Sequence, residues 1–238
     1  MDMNHLLIAE GIVCVGAILQ SGIGFGLGPF AVPLLVMIDP RLVPGPLLFD
    51  ALILTLLMSR REFYALDKTV LKWTIVGRIL GSGLAAVALV FVPRHHLKLF
   101  FGVLVLAAVF ISLLKFKANY SGKRLLAAGT LSGFMGTAVS IGGPPLALVF
   151  QHRDGPQIRA TLSAIFSIGG TVALFSLFLI GKFGLTELHL ALLLLPGLLL
   201  GFFLSRYITP IVDKGLMRPL LLTMSAAAAG ILIWPFLF

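Results

Sequence analysis

Thr137-Ala138-Val139-Ser140-Ile141-Gly142-Gly143-Pro144-Pro145 interrupts an apolar run that extends from Leu125 to Phe150. A plain membrane helix has no use for Gly-Gly-Pro-Pro. Two prolines remove two backbone donors, and each glycine costs roughly 1 kcal/mol of helix propensity against alanine. In hydrocarbon an unpaired backbone group costs several kcal/mol, so such a break persists only where protein or a water-filled cavity surrounds it. A second break stands in the first half: Gln20-Ser21-Gly22-Ile23-Gly24-Phe25-Gly26-Leu27-Gly28-Pro29. Two broken segments at matching places in two halves point to a transport site between them.

Composition agrees with a membrane setting. The 238 residues are 59% hydrophobic and 11% charged, with a mean hydropathy of +1.08. Soluble domains run at about 45–50% apolar and about 25% charged. The sequence therefore predicts an all-α integral membrane protein of one transmembrane domain, 1–238, with no separate soluble domain. Met1-Asp2-Met3-Asn4-His5 lacks the basic region of a cleaved signal peptide, so the N-terminus is expected to be retained. Cys14 is alone, which excludes an internal disulfide and suits a small packing residue. The net charge of +9 is read as basic cytoplasmic loops with attraction for anions, not as a nucleic-acid surface.

Eight apolar runs follow one another at about 6–38, 43–59, 70–92, 97–114, 124–151, 158–181, 188–205 and 214–238. A spanning helix needs about 20 residues. Six runs suit one helix each; the first and fifth are too long and hold the breaks. The chain also repeats itself, with a first half of about 1–118 and a second of about 119–238. Gly77-x-x-x-Gly81 matches Gly197-x-x-x-Gly201, Lys98 matches Arg218, and Gly28-Pro29 matches Gly143-Pro144.

Charge decides between two topologies. If all eight runs cross, Lys and Arg divide nine against eight, which orients nothing. If runs one and five are re-entrant hairpins, the division becomes 13 against 4, with Arg78 inside a span. The positive-inside rule favours the hairpins. Each half then crosses three times, so the halves are inverted and both termini lie outside.

The hairpin tips are the expected binding site. Half-helices of ~15 residues reach ~22 Å, past the middle of a ~30 Å core, so Ser21–Pro29 and Ser140–Pro145 would meet near midplane. Each second half-helix is expected to begin at its proline, aiming free N–H groups and a positive dipole end at the centre, which suits an anion. Gly22, Gly24, Gly26, Gly28, Gly142 and Gly143 allow close backbone approach, beside Pro29 and Pro144, while Gln20, Ser21, Thr137 and Ser140 offer side-chain donors.

Two ionisable residues fall inside spans. Asp50 in the second run and Arg78 in the third lie at similar depth, so they either pair or act separately. In the second case Arg78 binds the anion and Asp50 orients it or takes up a coupling proton. Arg159, at the start of the sixth run, snorkels to headgroups or contacts substrate. Trp73, Tyr64, Tyr207 and Trp234 read as interfacial anchors. His95, His96, His152 and His189 make no metal pattern with a carboxylate, and nothing suggests a bound cofactor. Nucleophile elbows and phosphate loops are missing too, so an enzyme is not expected.

Gly129-x-x-x-Gly133-x-x-Gly136, Ile141-Gly142-Gly143-Pro144-Pro145-Leu146 and Ile158-Arg159-Ala160-Thr161-Leu162 resemble the sulfite exporter TauE/SafE family of membrane permeases. The opening Gly16, Gly22, Gly24, Gly26, Gly28 and Pro33 are similar to that family's first-half motif. The departure is Phe25 and Leu27, interleaved where a more compact glycine cluster would be expected. The resemblance spans essentially the whole chain. It implies a multi-pass inner-membrane transporter of small sulfur-containing anions, sulfite or organosulfonates; the two inverted halves themselves read as a secondary transporter working by alternating access. Permeation of other small anions such as carboxylates, or an anion channel, is the alternative. The expected partners are the anion and the lipid bilayer.

Overall fold

The computed structural model describes residues 2–61, 63–93, 96–114, 121–150 and 155–212, with positions 223, 226, 227 and 230 beyond them. These fold into nine α-helices, with no strand among the described residues: α1 Met3–Ile23, α2 Leu27–Ile38, α3 Gly45–Arg61, α4 Leu71–Phe91, α5 Leu97–Leu113, α6 Gly122–Val139, α7 Gly143–Phe150, α8 Gly155–Leu179 and α9 Leu185–Val212. The first seven apolar runs are all there, and runs one and five are each split in two. The eighth run, 214–238, lies almost wholly outside the described residues. Among the described residues, five segments are long and apolar enough to cross a membrane: Met3–Ile23, Pro40–Arg61, Lys68–Phe91, Gly155–Leu179 and Leu185–Tyr207.

Each break has a local cause. α1 ends where Gly24 turns left-handed (φ 96°) and its N–H reaches back to the Gln20 carbonyl. The chain passes Gly26, at φ 147°, and re-enters a helix whose first N–H, from Leu27, is received by the Gln20 side-chain oxygen at 3.2 Å. α6 ends at Ser140, also left-handed (φ 58°), whose N–H donates to Gly136, while the Ile141 N–H donates to Met135. These are the backward bonds that satisfy a helix's last carbonyls.

Two sequence expectations change here. The arms are not about 15 residues each: α1 and α6 have 21 and 18, whereas α2 and α7 have 12 and 8. Nor do the second helices begin at proline. Pro29 is third in α2, and Pro144 and Pro145 are second and third in α7. All three still fall in the first turn, where an N–H has no partner within the helix, so the missing donors cost the helix nothing.

Packing crosses between the halves. α1 lies along α9, and α6 lies along α4. A Cβ on Gly77 or Gly81 of α4 would collide with the Leu126 or Thr130 backbone of α6. A Cβ on Gly197 or Gly201 of α9 would collide with the Glu10 or Cys14 carbonyl of α1. Small residues thus bring backbones together where lipid supplies no hydrophobic drive to do so. α3 packs against α8 and α9 and touches α1 and α2 at the first break, while the Pro44 carbonyl just before it accepts the Ser140 hydroxyl of the second.

A candidate anion site between two helix breaks

The two tips meet. The Gly28 Cα at the start of α2 sits against the Ser140 carbonyl, and Gly143 at the start of α7 sits against the Phe25 side chain. No Cβ fits at either glycine. Beside this crossing lies a cavity of about 40 Å³, lined from the breaks by Gln20, Gly26, Gly28, Pro29, Ser140, Gly142 and Gly143. α3 contributes Leu48, Ala51, Leu52 and Thr55, and α4 contributes Arg78. At roughly 10–15 Å³ per water-sized probe, the space holds about three waters or one small ion.

Arg78 is the charge in this cavity. It is 2% exposed, and Gly136, Gly142 and Gly169 surround its guanidinium, leaving no room for a side chain at Gly169. Nη1 donates to Ser132 Oγ at 2.6 Å, and that hydroxyl passes its own proton to the Gly142 carbonyl at 2.5 Å. The Phe166 ring lies 5.1 Å from Cζ. Nε is enclosed without a partner, and Nη2 makes no hydrogen bond within the described residues. No carboxylate pairs with Arg78 among them. An enclosed cation without a counterion is costly unless an anion joins it.

Asp50 is not that counterion, which corrects the pairing alternative. Leu48, Ala51, Leu52 and Thr55 form one stripe of α3 at helical spacing and face the cavity. Asp50 falls on the opposite stripe with Leu47 and Leu54, which pack in the core with Leu190, Leu194 and Leu198 of α9. Its carboxylate is fully buried, and both oxygens are without a hydrogen-bond partner among the described residues.

The remaining sequence candidates stand outside the cavity lining. Arg159 Nη1 donates to the Gly22 carbonyl at 3.2 Å, and Gly24 packs against the Arg159 side chain. Thr137 Oγ1 donates to Ser82 Oγ of α4 at 2.9 Å. Ser21 has a buried hydroxyl without a partner, but its carbonyl accepts Arg61 Nη2 at 2.8 Å. Pro144 is buried and lies outside the cavity lining. Sequence reasoning missed Arg61, counting it as a loop charge. It is the last residue of α3, and it also reaches Ser205 Oγ at 3.3 Å and lies 5.4 Å from the Phe202 ring of α9. Two arginines therefore hold the last carbonyls of α1, where the helix dipole is negative. No group of His, Cys, Asp and Glu able to hold a metal occurs among the described residues.

An all-helical chain with several apolar spans, two broken helices meeting inside it and a buried cation at their junction has the form of a multi-pass membrane transporter. The model of the sulfite exporter TauE/SafE family matches residues 9–232, nearly the whole chain, and the protein belongs to that family of membrane transporters. No curated protein and no solved structure matches it.

Proposed function

We propose that this chain is a secondary transporter of small sulfur oxyanions, with the anion held at midplane between the two breaks. The observation that carries this reading is the buried Arg78 guanidinium, without a counterion among the described residues, on the wall of the cavity where the tips cross. A guanidinium matches the oxygens of sulfite or a sulfonate through charge-assisted hydrogen bonds. The family's name supplies the sulfur chemistry, and a cavity of about 40 Å³ suits sulfite better than a longer organosulfonate.

The carrier works by alternating access, one half moving against the other about the shared site. The exchange of partners supports inverted halves: α1 of the first leans on α9 of the second, and α6 of the second leans on α4 of the first. Leu126 and Thr130, which meet Gly77 and Gly81, stand 116 positions after Glu10 and Cys14, which meet Gly197 and Gly201. Both termini face outside. Asp50, an enclosed carboxyl without a partner in the seam between α3 and α9, is the coupling proton site. In proteoliposomes, saturable sulfite uptake that competing sulfonates inhibit, and that Arg78→Met abolishes, is the expected result. Uptake that does not saturate, or that survives Arg78→Met, would overturn it.

A further inference from the structure

The polar groups on the cavity wall have fixed hydrogen-bond directions. A hydroxyl has one proton to give. Ser140 Oγ gives its proton to the Pro44 carbonyl at 2.9 Å, and Thr55 Oγ1 gives its proton to the Leu52 carbonyl at 3.0 Å. Both line the cavity, and what is left to them is acceptor capacity: Ser140 keeps its lone pairs, and Thr55 keeps one beside the pair that accepts Ser167 Oγ at 3.3 Å. Gln20 is fixed the other way. Its Oε1 receives the Leu27 N–H, so the part of its amide left for the cavity is the NH₂ group. Arg78 can only donate. One small cavity therefore combines donors from Gln20 and Arg78 with acceptors from Ser140 and Thr55.

A fully deprotonated oxyanion would satisfy the donors and set its oxygens against two lone pairs with no proton between them. A buried acceptor left unmatched costs about 1–3 kcal/mol. A ligand with anionic oxygens and one proton satisfies both sides, and a single negative charge balances the single guanidinium. We infer that the site takes a singly protonated monoanion. Resting on the sulfur-oxyanion reading above, the inference selects the O–H form of hydrogensulfite over the sulfite dianion. Nothing is transferred covalently: the ligand's proton stays with the ligand and bonds to Ser140 or Thr55.

Methanesulfinate is the discriminating probe, because it keeps the pyramidal sulfur, both oxygens and the single charge, and has a methyl where hydrogensulfite has its hydroxyl. Uptake of radiolabelled sulfite into proteoliposomes, at a pH where hydrogensulfite predominates, is competed with unlabelled hydrogensulfite and with methanesulfinate. Sites that bond a substrate hydroxyl reject the analogue lacking it strongly, so the inhibition constant for methanesulfinate is expected to be higher by about tenfold or more. Ser140→Gly suits the left-handed backbone at this position, and Thr55→Val keeps the side chain's shape. Each should lower that ratio. Equal competition in the unmodified protein, or an unchanged ratio in both variants, would overturn the inference and leave the sulfur-oxyanion reading standing. If no saturable sulfite uptake occurs at all, that reading fails and the inference falls with it.

Discussion

Arg159 at the start of α8 donates to the carbonyl of Gly22 in the last turn of α1, at 3.2 Å and 137 positions away in sequence. The bond ties the second half of the chain to the end of the first broken helix, and neither residue lines the cavity. Hydrogen bonds from charged donors contribute about 1.5–3 kcal/mol when buried. Arg159→Ala is therefore expected to lower stability by about that amount in detergent denaturation. Its transport loss should follow its loss of folded protein, unlike that of Arg78→Met. Unchanged stability in Arg159→Ala would show that the clamp contributes nothing.

Gly81 and Gly83 lie two residues apart on α4 and face opposite surroundings. A Cβ at Gly81 would overlap the Thr130 carbonyl of α6, whereas a Cβ at Gly83 would meet nothing within 4 Å. Gly81→Ala should force the two helices apart at about 1–3 kcal/mol or more, as overpacking does. Gly83→Ala should be neutral or stabilising by up to about 1 kcal/mol, because alanine is the better helix former. Thermal denaturation of the two variants reads the contrast directly; losses of similar size would mean that α4 and α6 are not packed this closely.

Gly169 tests the guanidinium's position without touching its charge. A Cβ there would occupy the space of Arg78 Nε and crowd Cζ and Cδ, so the arginine side chain has to shift. Gly169→Ala should swing Arg78 off the cavity wall and lower kcat/KM for sulfite by tenfold or more, about 1.4 kcal/mol of lost binding. Gly170, whose Cβ would lie 3.4 Å from the nearest atom of Leu52, tolerates alanine better. Equal activity in Gly169→Ala and the unmodified protein would show that Arg78 need not stand where it does.

Much of this site could be read from the chain because glycine and proline leave unambiguous traces. The breaks at Gly24–Gly26 and Ser140–Gly142 fall where helix propensity fails, and the Gly77 and Gly197 motifs mark close helix packing. What escaped was azimuth. The run positions of Asp50 and Arg78 predict one depth for both, yet the stripe of Leu48, Ala51, Leu52 and Thr55 puts Asp50 on the far side of α3. A count around the helix would have separated them. Arg61 escaped for another reason: positive-inside bookkeeping treats a terminal arginine as solvated, while its partners come from α1 and α9, far away in sequence.

Asp39 gives a pH signature outside the spans. Its carboxylate accepts the Arg41 backbone N–H at 2.9 Å and pairs with the Arg41 guanidinium at 2.7 Å, capping the short turn Pro40–Leu42. The hydrogen bond from Arg41 holds this carboxyl below the usual carboxylate range. A depressed folded pKa contributes stability that is present above the unfolded value and is lost as pH falls through the folded one. Asp39→Asn should therefore melt lower than the unmodified protein at neutral pH, and the gap should close only in acid, below the ordinary carboxylate pKa. A gap that is independent of pH would assign the effect to the cap's shape, not its charge.

Topology can be settled by comparing the two ends of the second broken segment. α7, at eight residues, rises only ~12 Å, far too little to cross a ~30 Å core and short of half of it. α6, at 18 residues, rises ~27 Å, with Lys123 and Arg124 at its start. Re-entry puts Lys123 and Gln157 on one side of the membrane; a crossing puts them on opposite sides. In a Cys14→Ser background, Lys123→Cys and Gln157→Cys should both resist an impermeant maleimide in intact cells and react after permeabilisation. Asp2→Cys should react in intact cells, because the basic cluster Arg60, Arg61, Lys68 and Lys72 keeps the other face cytoplasmic. Labelling of Gln157→Cys but not Lys123→Cys in intact cells would show that the segment crosses. The halves would then be parallel, and the site could not lie between two opposed tips.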